Sequence, residues 1–288
     1  MTRSEESVMT LKEIRQSAVS TLDGLTSSAL LDVDLILMKA CQLSRSACYA
    51  FSEKVLTQLE CDTVATFVER RKQGEPLAYI LGEKEFWSLM FNVSAATLIP
   101  RPETECLVEW VLTHTPNELE LKVADLGTGS GAIAVALAKE RPSWKIDATD
   151  YSVEALRVAE SNVQRHRCGN VRCFHGDWYD ALPSSQYHLI VSNPPYINST
   201  DPHLLNLRYE PRSALVSNQE GFSDLYHIIE QARSYLFPGG RCIVEHGVGQ
   251  GQSLMQLMEK QGYIEIMGYS DFSGNDRFVV GKTPLSHS

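Results

Sequence analysis

Apolar positions along this chain change period twice, and each change marks a new kind of element. From Leu11 to about residue 75 they recur at helical spacing. Leu11, Ile14, Ala18 and Leu22 share one face before Asp23-Gly24 stops the run. Thr10-Leu11-Lys12-Glu13 and Thr57-Gln58-Leu59-Glu60 each fit a capping box, whose hydroxyl and carboxylate satisfy orphan amides at a helix start. Ser28 opens a second helix through Met38 that is apolar on most sides, with Asp32 and Asp34 expected to face outward or toward the helix start. A short helical piece follows from Ser44 to Phe51. Val64, Phe67 and Val68 lie at helical spacing before Gly74 and Pro76, and Arg70-Arg71-Lys72 reads as a solvated helix end. Residues 1–76 therefore predict a small helical bundle. From Leu77 the pattern changes: Leu77–Gly82 and Glu85–Phe91 predict two extended segments around a Gly82-Glu83-Lys84 turn, a β-hairpin within a linker of residues 77–100. Pro100-Arg101-Pro102 cannot be helix interior. A helix is expected from Glu103 onward, with Pro102 near its first turn and Leu107, Trp110 and Val111 buried.

After Glu120 strands and helices alternate. The strand candidates are Lys122–Leu126, Lys145–Asp150, Val171–His175, Tyr187–Ser192, Arg241–Glu245, Tyr263–Tyr269 and Arg277–Gly281. Helical stretches at Ala132–Glu140, Val153–Arg165, Ser223–Leu236 and Gln252–Gln261 separate most of them. Such alternation predicts a parallel, doubly wound α/β sheet covered on both faces. Ser270–Asn275 is too short for a helical crossover, so the last strand is expected to run antiparallel. Residues 101–288 form this second domain.

Composition narrows the class of partner. The chain has 288 residues, is 43% hydrophobic and carries a formal net charge of −10, which argues against a general nucleic-acid binder. Its seven cysteines include no CxxC pair and read as reduced thiols rather than a zinc site. Met1–Thr10 is polar with no apolar core of a secretory signal, and no run is long enough to span a membrane. A soluble, cytoplasmic protein is expected, with no metal.

Candidate chemistry sits at the ends of successive strands. Asp125-Leu126-Gly127-Thr128-Gly129-Ser130-Gly131 closes the first strand and opens a helix. Glycines let backbone approach a ligand closely, and the helix start offers free amides. Gly127-x-Gly129-x-x-Ala132 also fits a dinucleotide fingerprint. Asp125 tips the reading, because a carboxylate there repels pyrophosphate and suits an ammonium group. Asp150 ends the second strand where an acid can hydrogen-bond ribose hydroxyls; a helix cap beside Ser152 is the plainer alternative. Asp177 and Trp178 follow the third strand, placed to accept from an adenine amino group and cover the ring; a core tryptophan is equally compatible.

Ser192-Asn193-Pro194-Pro195-Tyr196 follows the fourth strand. Two prolines fix φ and remove two donors, making a rigid loop with free carbonyls. Asn193 Oδ1 and the Pro194 carbonyl can each accept one N–H of a planar –NH2 group, with Tyr196 against its flat face. Holding the nitrogen there stabilises positive charge as it develops.

This array resembles class I S-adenosylmethionine-dependent methyltransferases acting on a planar nitrogen. Gly74-Glu75-Pro76-Leu77-Ala78-Tyr79, Glu85-Phe86-Trp87, Ile99-Pro100-Arg101-Pro102-Glu103-Thr104-Glu105, Tyr209-Glu210-Pro211 with Ala214-Leu215, and Gly239-Gly240 before Glu245 narrow the resemblance. Nearly the whole chain is similar to the HemK/PrmC family of peptide-chain release factor glutamine N5-methyltransferases. One departure is Glu220-Gly221-Phe222, where the family usually has Asp-Gly-Leu. The resemblance implies a Rossmann-like seven-stranded sheet, mostly parallel with an antiparallel last strand, preceded by a helical substrate-docking bundle and hairpin linker. It implies methylation of the glutamine in the Gly-Gly-Gln loop of class I release factors, by a monomer that holds no nucleic acid stably. By motif match, Asp125, Gly127, Thr128, Gly129, Ser130, Gly131, Asp150, Asp177, Trp178 and Asn193 would bind S-adenosylmethionine. Asn193, Pro194, Pro195 and Tyr196 would hold the glutamine amide, Arg101 and Glu105 would brace the cleft floor, and Glu210 would border the substrate entrance. A nucleic-acid amino methyltransferase using the same tetrapeptide is the rival reading, and an NAD-dependent dehydrogenase a more distant one.

Overall fold

The computed structural model describes residues 9–116, 119–183 and 186–285. They divide into two compact units, one ending at Gly82 and one beginning at Glu83.

The first unit is helical: α1 (Leu11–Leu22), α2 (Ala29–Cys41), α3 (Arg45–Ala50), α4 (Gln58–Lys72) and the short α5 (Leu77–Leu81). Both capping boxes form, through Thr10 with Glu13 and Thr57 with Glu60. The apolar faces of α1, α2 and α4 bury Leu11, Leu22, Ile36, Leu37 and Val64 together. Asp32 and Asp34 do not face outward; they are 4% and 1% exposed. Each is neutralised from a distant helix, Asp32 by Arg71 at 2.7 Å and Asp34 by Arg15 at 2.7 Å. Arg71 is thus an internal ion-pair partner rather than a solvated helix end. A buried carboxylate without such a partner is strongly destabilising.

The expected first strand of the hairpin is instead α5, and Gly82 closes it in the left-handed region at φ 75°. The hairpin lies one step later, in the second unit. β1 (Glu83–Phe86) pairs antiparallel with β2 (Leu89–Asn92), and the turn is Trp87-Ser88. Both turn residues have positive φ, 52° and 55°, as a two-residue hairpin turn matching strand twist requires. Glu105 Oε1 accepts from the Trp87 amide at 2.9 Å and locks the turn to α6 (Thr104–Thr113). Leu107, Trp110 and Val111 of α6 are buried.

The rest of the second unit is the alternating α/β layer: β3 (Lys122–Leu126), α7 (Ala132–Glu140), β4 (Lys145–Asp150), α8 (Val153–Arg165), β5 (Val171–His175) and β6 (Tyr187–Ser192). Two-residue strands β7 (Ile197–Asn198) and β8 (Val216–Ser217) pair beside it, and the short turn α9 (Asn218–Gly221) follows. Then come α10 (Ser223–Tyr235), β9 (Leu236–Glu245), α11 (Gly251–Lys260), β10 (Ile264–Ser270) and β11 (Asp276–Lys282). The main sheet has seven strands in the order β10-β11-β9-β6-β3-β4-β5. Six strands run in one direction, and only β11 is antiparallel, to both its neighbours, β9 and β10. The chain winds outward from β3 through β4 to β5, then returns to lay β6 on the other side of β3. The order therefore reverses between β3 and β6, and a crevice opens past their C-terminal ends.

Candidate active site

Register brings the glycine loop and the Asn-Pro-Pro-Tyr loop side by side. Leu126 is level with Ser192 across the β3–β6 pair, and the Ser192 hydroxyl donates to the Leu126 carbonyl at 2.7 Å. Gly127 and Asn193 therefore leave the sheet as neighbours. Around them lies a cleft of about 420 Å3 whose lining includes Gly127, Thr128, Gly129, Ser130, Asp150, Asp177, Trp178, Asn193 and Pro195. Nine of the residues expected to hold the donor or the amide thus share one wall system, and Arg101 joins them. Gly131, Asp125, Pro194 and Tyr196 lie behind it.

The glycine loop is pinned from below. Asp125 is 1% exposed; its Oδ2 accepts from the Thr128 hydroxyl at 2.6 Å and the Ala134 amide at 3.2 Å. It thereby fixes the loop and caps the first turn of α7. Its Oδ1 is buried with no partner. Burial, only partly countered by those two donors, pushes the Asp125 carboxyl up to about 7. Asp125 stands behind the cleft lining, and its carboxyl holds the glycine loop from below. Gly131 takes φ 80° and packs a hydrogen-sized side chain against Ala159 of α8, where a Cβ would stand 3.3 Å away.

Asp150 sits at the rim. Its Oδ2 accepts from the Gly129 amide at 2.8 Å and its Oδ1 from the Ser152 amide at 2.9 Å. Each oxygen keeps a second lone pair beyond those two donors, and burial raises the carboxyl above its usual range. Next to it Tyr151 stands 74% exposed as part of the same wall. Trp178 adopts φ 39° and lays its ring so close to Gly127 that a Cβ there would come within 2.9 Å of Cζ3. The ring forms a flat apolar side of the cleft, and Asp177 is exposed beside it.

Asn193 presents its acceptor inward. Its Nδ2 donates to Thr104 Oγ1 at 3.2 Å, and its Oδ1 is buried without a partner. The Tyr196 ring packs against Gly247, and its hydroxyl faces Glu245 and Arg277 at the back of the loop. Its carbonyl accepts from Gln250 Nε2 at 3.3 Å.

Several further residues line the cleft, among them Pro100, Thr104 and Ala214 of motifs to which the sequence assigned no individual role at these positions. Thr104 sits at the start of α6, Leu98 and Pro100 close one side, and Asp224 lies at the first turn of α10. Ser213, Ala214 and Val216 form the rim opposite, held by the Ile197 amide donating to the Leu215 carbonyl at 2.9 Å. The flagged Tyr209-Glu210-Pro211 motif was the available signal for that rim. Glu210 is 7% exposed and accepts from the Ile99 amide at 3.0 Å and from Arg101. It ties the proline loop down, so Arg101 faces the cleft already neutralised.

The lining carries three aspartates, Asp150, Asp177 and Asp224, against this one paired arginine. Such a wall disfavours a pyrophosphate and favours a cation. The adenosyl and cationic ends of S-adenosylmethionine fit the donor set: carboxylate lone pairs at Asp150, a ring face at Trp178 and a negative field around the loop.

A seven-stranded sheet of this order, with a glycine loop and an Asn-Pro-Pro-Tyr loop at its switch point, is the architecture of a class I methyltransferase. A methyltransferase from Pyrococcus furiosus shares the fold, at TM-score 0.52 and 17% identity over 76% of this chain and 99% of that one. The sequence matches the methyltransferase small domain over residues 104–206 and the PrmC N-terminal domain over residues 13–82. It is 45% identical to the release factor glutamine methyltransferase of Coxiella burnetii, over 96% of this chain and 99% of the relative. It is 44% identical to that of Salmonella typhimurium, over 87% and 91%. The chain belongs to the release factor glutamine methyltransferase family.

Proposed function

We propose that this protein transfers a methyl group from S-adenosylmethionine to the side-chain amide nitrogen of the glutamine in the Gly-Gly-Gln loop of class I peptide-chain release factors. The observation that carries the reading is Asn193 Oδ1, a buried acceptor with no partner, beside the glycine loop at the sheet's switch point. An unpaired buried acceptor is costly, and an incoming N–H removes the cost.

The work of the residues follows. The Gly127–Gly129 loop and Asp150 hold the donor, with Trp178 along its base. When bound, S-adenosylmethionine supplies a methyl already activated on a sulfonium. Asn193 Oδ1 and the Pro194 carbonyl accept the two N–H bonds of the glutamine amide and aim its nitrogen. Its lone pair is delocalised into the carbonyl, so alignment and charge stabilisation matter more than base strength. Among the described residues the cleft lining includes no histidine or lysine. The surplus proton of the methylated, cationic amide is acidic enough to leave to solvent. Glu245, Thr104 and Tyr196 keep the acceptors rigid from behind. The helical unit is the docking element for the release factor.

Purified protein with methyl-labelled S-adenosylmethionine should label a class I release factor. It should not label one whose loop glutamine is replaced by alanine. Equal labelling of both, or labelling of tRNA or DNA instead, would overturn the reading.

A further inference from the structure

We infer that Thr104, backed by Glu245, is a positioning residue that decides which way the Asn193 amide faces. The inference rests on the proposed role of Asn193 as an acceptor.

An asparagine amide fits its site in two orientations half a turn apart, differing only in which of oxygen or nitrogen points each way. Only one of them offers an acceptor to substrate. The other would present N–H groups to the N–H groups of a target amide, and the clamp would repel its ligand.

Three elements meet around this choice. Ser192 is level with Val244 across the β6–β9 pair, so Asn193 and Glu245 leave the sheet at the same height on adjacent strands. The first residue of α6, Thr104, stands with them. Thr104 is 4% exposed and Glu245 1% exposed, so bulk water does not set their hydrogen bonds. The Asn193 amide approaches Thr104 Oγ1 at 3.2 Å. The Glu245 carboxyl interacts with the hydroxyls of Thr104 and Tyr196 and the guanidinium of Arg277, and its Oε2 has no formed hydrogen bond.

A hydroxyl donates one proton and accepts through its lone pairs, whereas a carboxylate only accepts. Burial pushes the Glu245 carboxyl up to about 7, so at mildly alkaline pH it is ionised and draws the Thr104 proton toward itself. Oγ1 is left to accept, and only the NH2 side of Asn193 can satisfy it. With nitrogen committed to Thr104, Oδ1 must face the other way. The reversed amide would set Oδ1 against Oγ1 with no proton between them, in a buried place where neither oxygen has an alternative. The polarity runs from Asn193 through Thr104 to Glu245, and its effect is felt only at Asn193 Oδ1.

The test uses the full chain at mildly alkaline pH, with Thr104→Val, Thr104→Ala, Thr104→Ser and Glu245→Gln. Thr104→Val is near-isosteric and removes only the hydroxyl's polarity; Thr104→Ala covers the case in which valine does not fold. Either should lower kcat for release-factor methylation by about 10- to 100-fold, somewhat less than direct removal of a charge-stabilising group. The KM for the protein substrate and S-adenosylmethionine affinity by calorimetry should stay within about twofold. Thr104→Ser should recover most of the turnover. Glu245→Gln should lower kcat, and combining it with Thr104→Val should add nothing further, because both act through one amide. Independently of turnover, hydrogen exchange at the Asn193 side-chain NH2, assigned by its loss in Asn193→Ala, should speed up at least about tenfold in Thr104→Val. Unchanged exchange and kcat in both the valine and alanine variants would overturn the inference. So would a serine variant as impaired as the valine one. If wild-type protein does not methylate the release factor, the function reading fails, while the exchange measurement still judges the orientation.

Discussion

At the residue scale, the cleft depends on groups held where water cannot help them. Asn193 offers a bare oxygen because its nitrogen is engaged. Asn193→Ala should therefore reduce transfer by at least about 100-fold, as loss of a preorganised charge-stabilising group does. S-adenosylmethionine affinity, measured by calorimetry, should change little, because the glycine loop and Asp150 are untouched. A parallel loss of affinity would place Asn193 with the donor rather than the acceptor. Asp125 gives a pH signature. Burial raises its carboxyl from 3.8 to about 7, so the folded chain keeps a proton that the unfolded chain releases. This stabilising contribution is full below the unfolded value and is lost as pH rises through the folded one. Urea midpoints of the ligand-free protein should fall between mildly acidic and neutral pH, with Asp125 contributing on the order of 3 kcal/mol. Asp125→Asn mimics the protonated form and should flatten that slope; an unchanged slope would remove Asp125 from the account. Residues of this kind were only half legible. Asn193 and Asp150 could be placed at the crevice because one follows and the other ends a strand. The burial of Asp125 comes from the glycine loop and α7 closing over it, and the turn of Tyr196 toward Glu245 and Arg277 from β9 and β11, which no local pattern reveals.

Elements carry these residues into place through a few tight contacts. The Asn-Pro-Pro-Tyr loop is stiff in itself, and α9 clamps it from outside. Gly221 has φ 93°, and a Cβ there would lie 2.2 Å from the Tyr196 carbonyl oxygen. Backbone stands on both sides of that contact, so the loop must move if the side chain grows. Gly221→Ala should cost roughly 2 kcal/mol in chemical denaturation and lower kcat more than tenfold, with donor affinity less affected. A variant as stable and active as wild type would show that the clamp does not set the loop. The same scale shows where sequence patterns mislead. Gly82-Glu83-Lys84 is a strong turn signal, yet the hairpin turns at Trp87-Ser88. Two non-glycine residues are held there at positive φ, with Glu105 bonded to the Trp87 amide. Propensity cannot foresee a turn stabilised by a helix that begins 17 residues later. Asp32 does turn to the helix start, where the Ser28 hydroxyl donates to it at 2.7 Å, but the burial of Asp32 and Asp34 on ion pairs was hidden for a similar reason. Their partners Arg71 and Arg15 lie 39 and 19 residues away, and only the folded bundle brings them together.

At the scale of the whole molecule, strand and helix alternation was readable because each element announces its own period. The switch point followed from strand order, and it explains why motifs spread from Asp125 to Tyr196 converge on one crevice. The chemistry of that crevice is consistent in sign: three aspartates and one neutralised arginine line it, in a chain of net charge −10. A cationic donor and a neutral amide acceptor suit such a surface better than a dinucleotide or a nucleic-acid backbone. Membership of the release factor glutamine methyltransferase family fits that electrostatic reading, and the acceptor role proposed for the Asn-Pro-Pro-Tyr loop supplies a mechanism. The most direct measurement is to incubate the protein with S-adenosylmethionine and a class I release factor, then fragment the loop peptide in a mass spectrometer. One methyl group on the side-chain nitrogen of the Gly-Gly-Gln glutamine is the predicted result. A methyl group on any other residue, or none on that glutamine while another substrate is modified, would contradict the account.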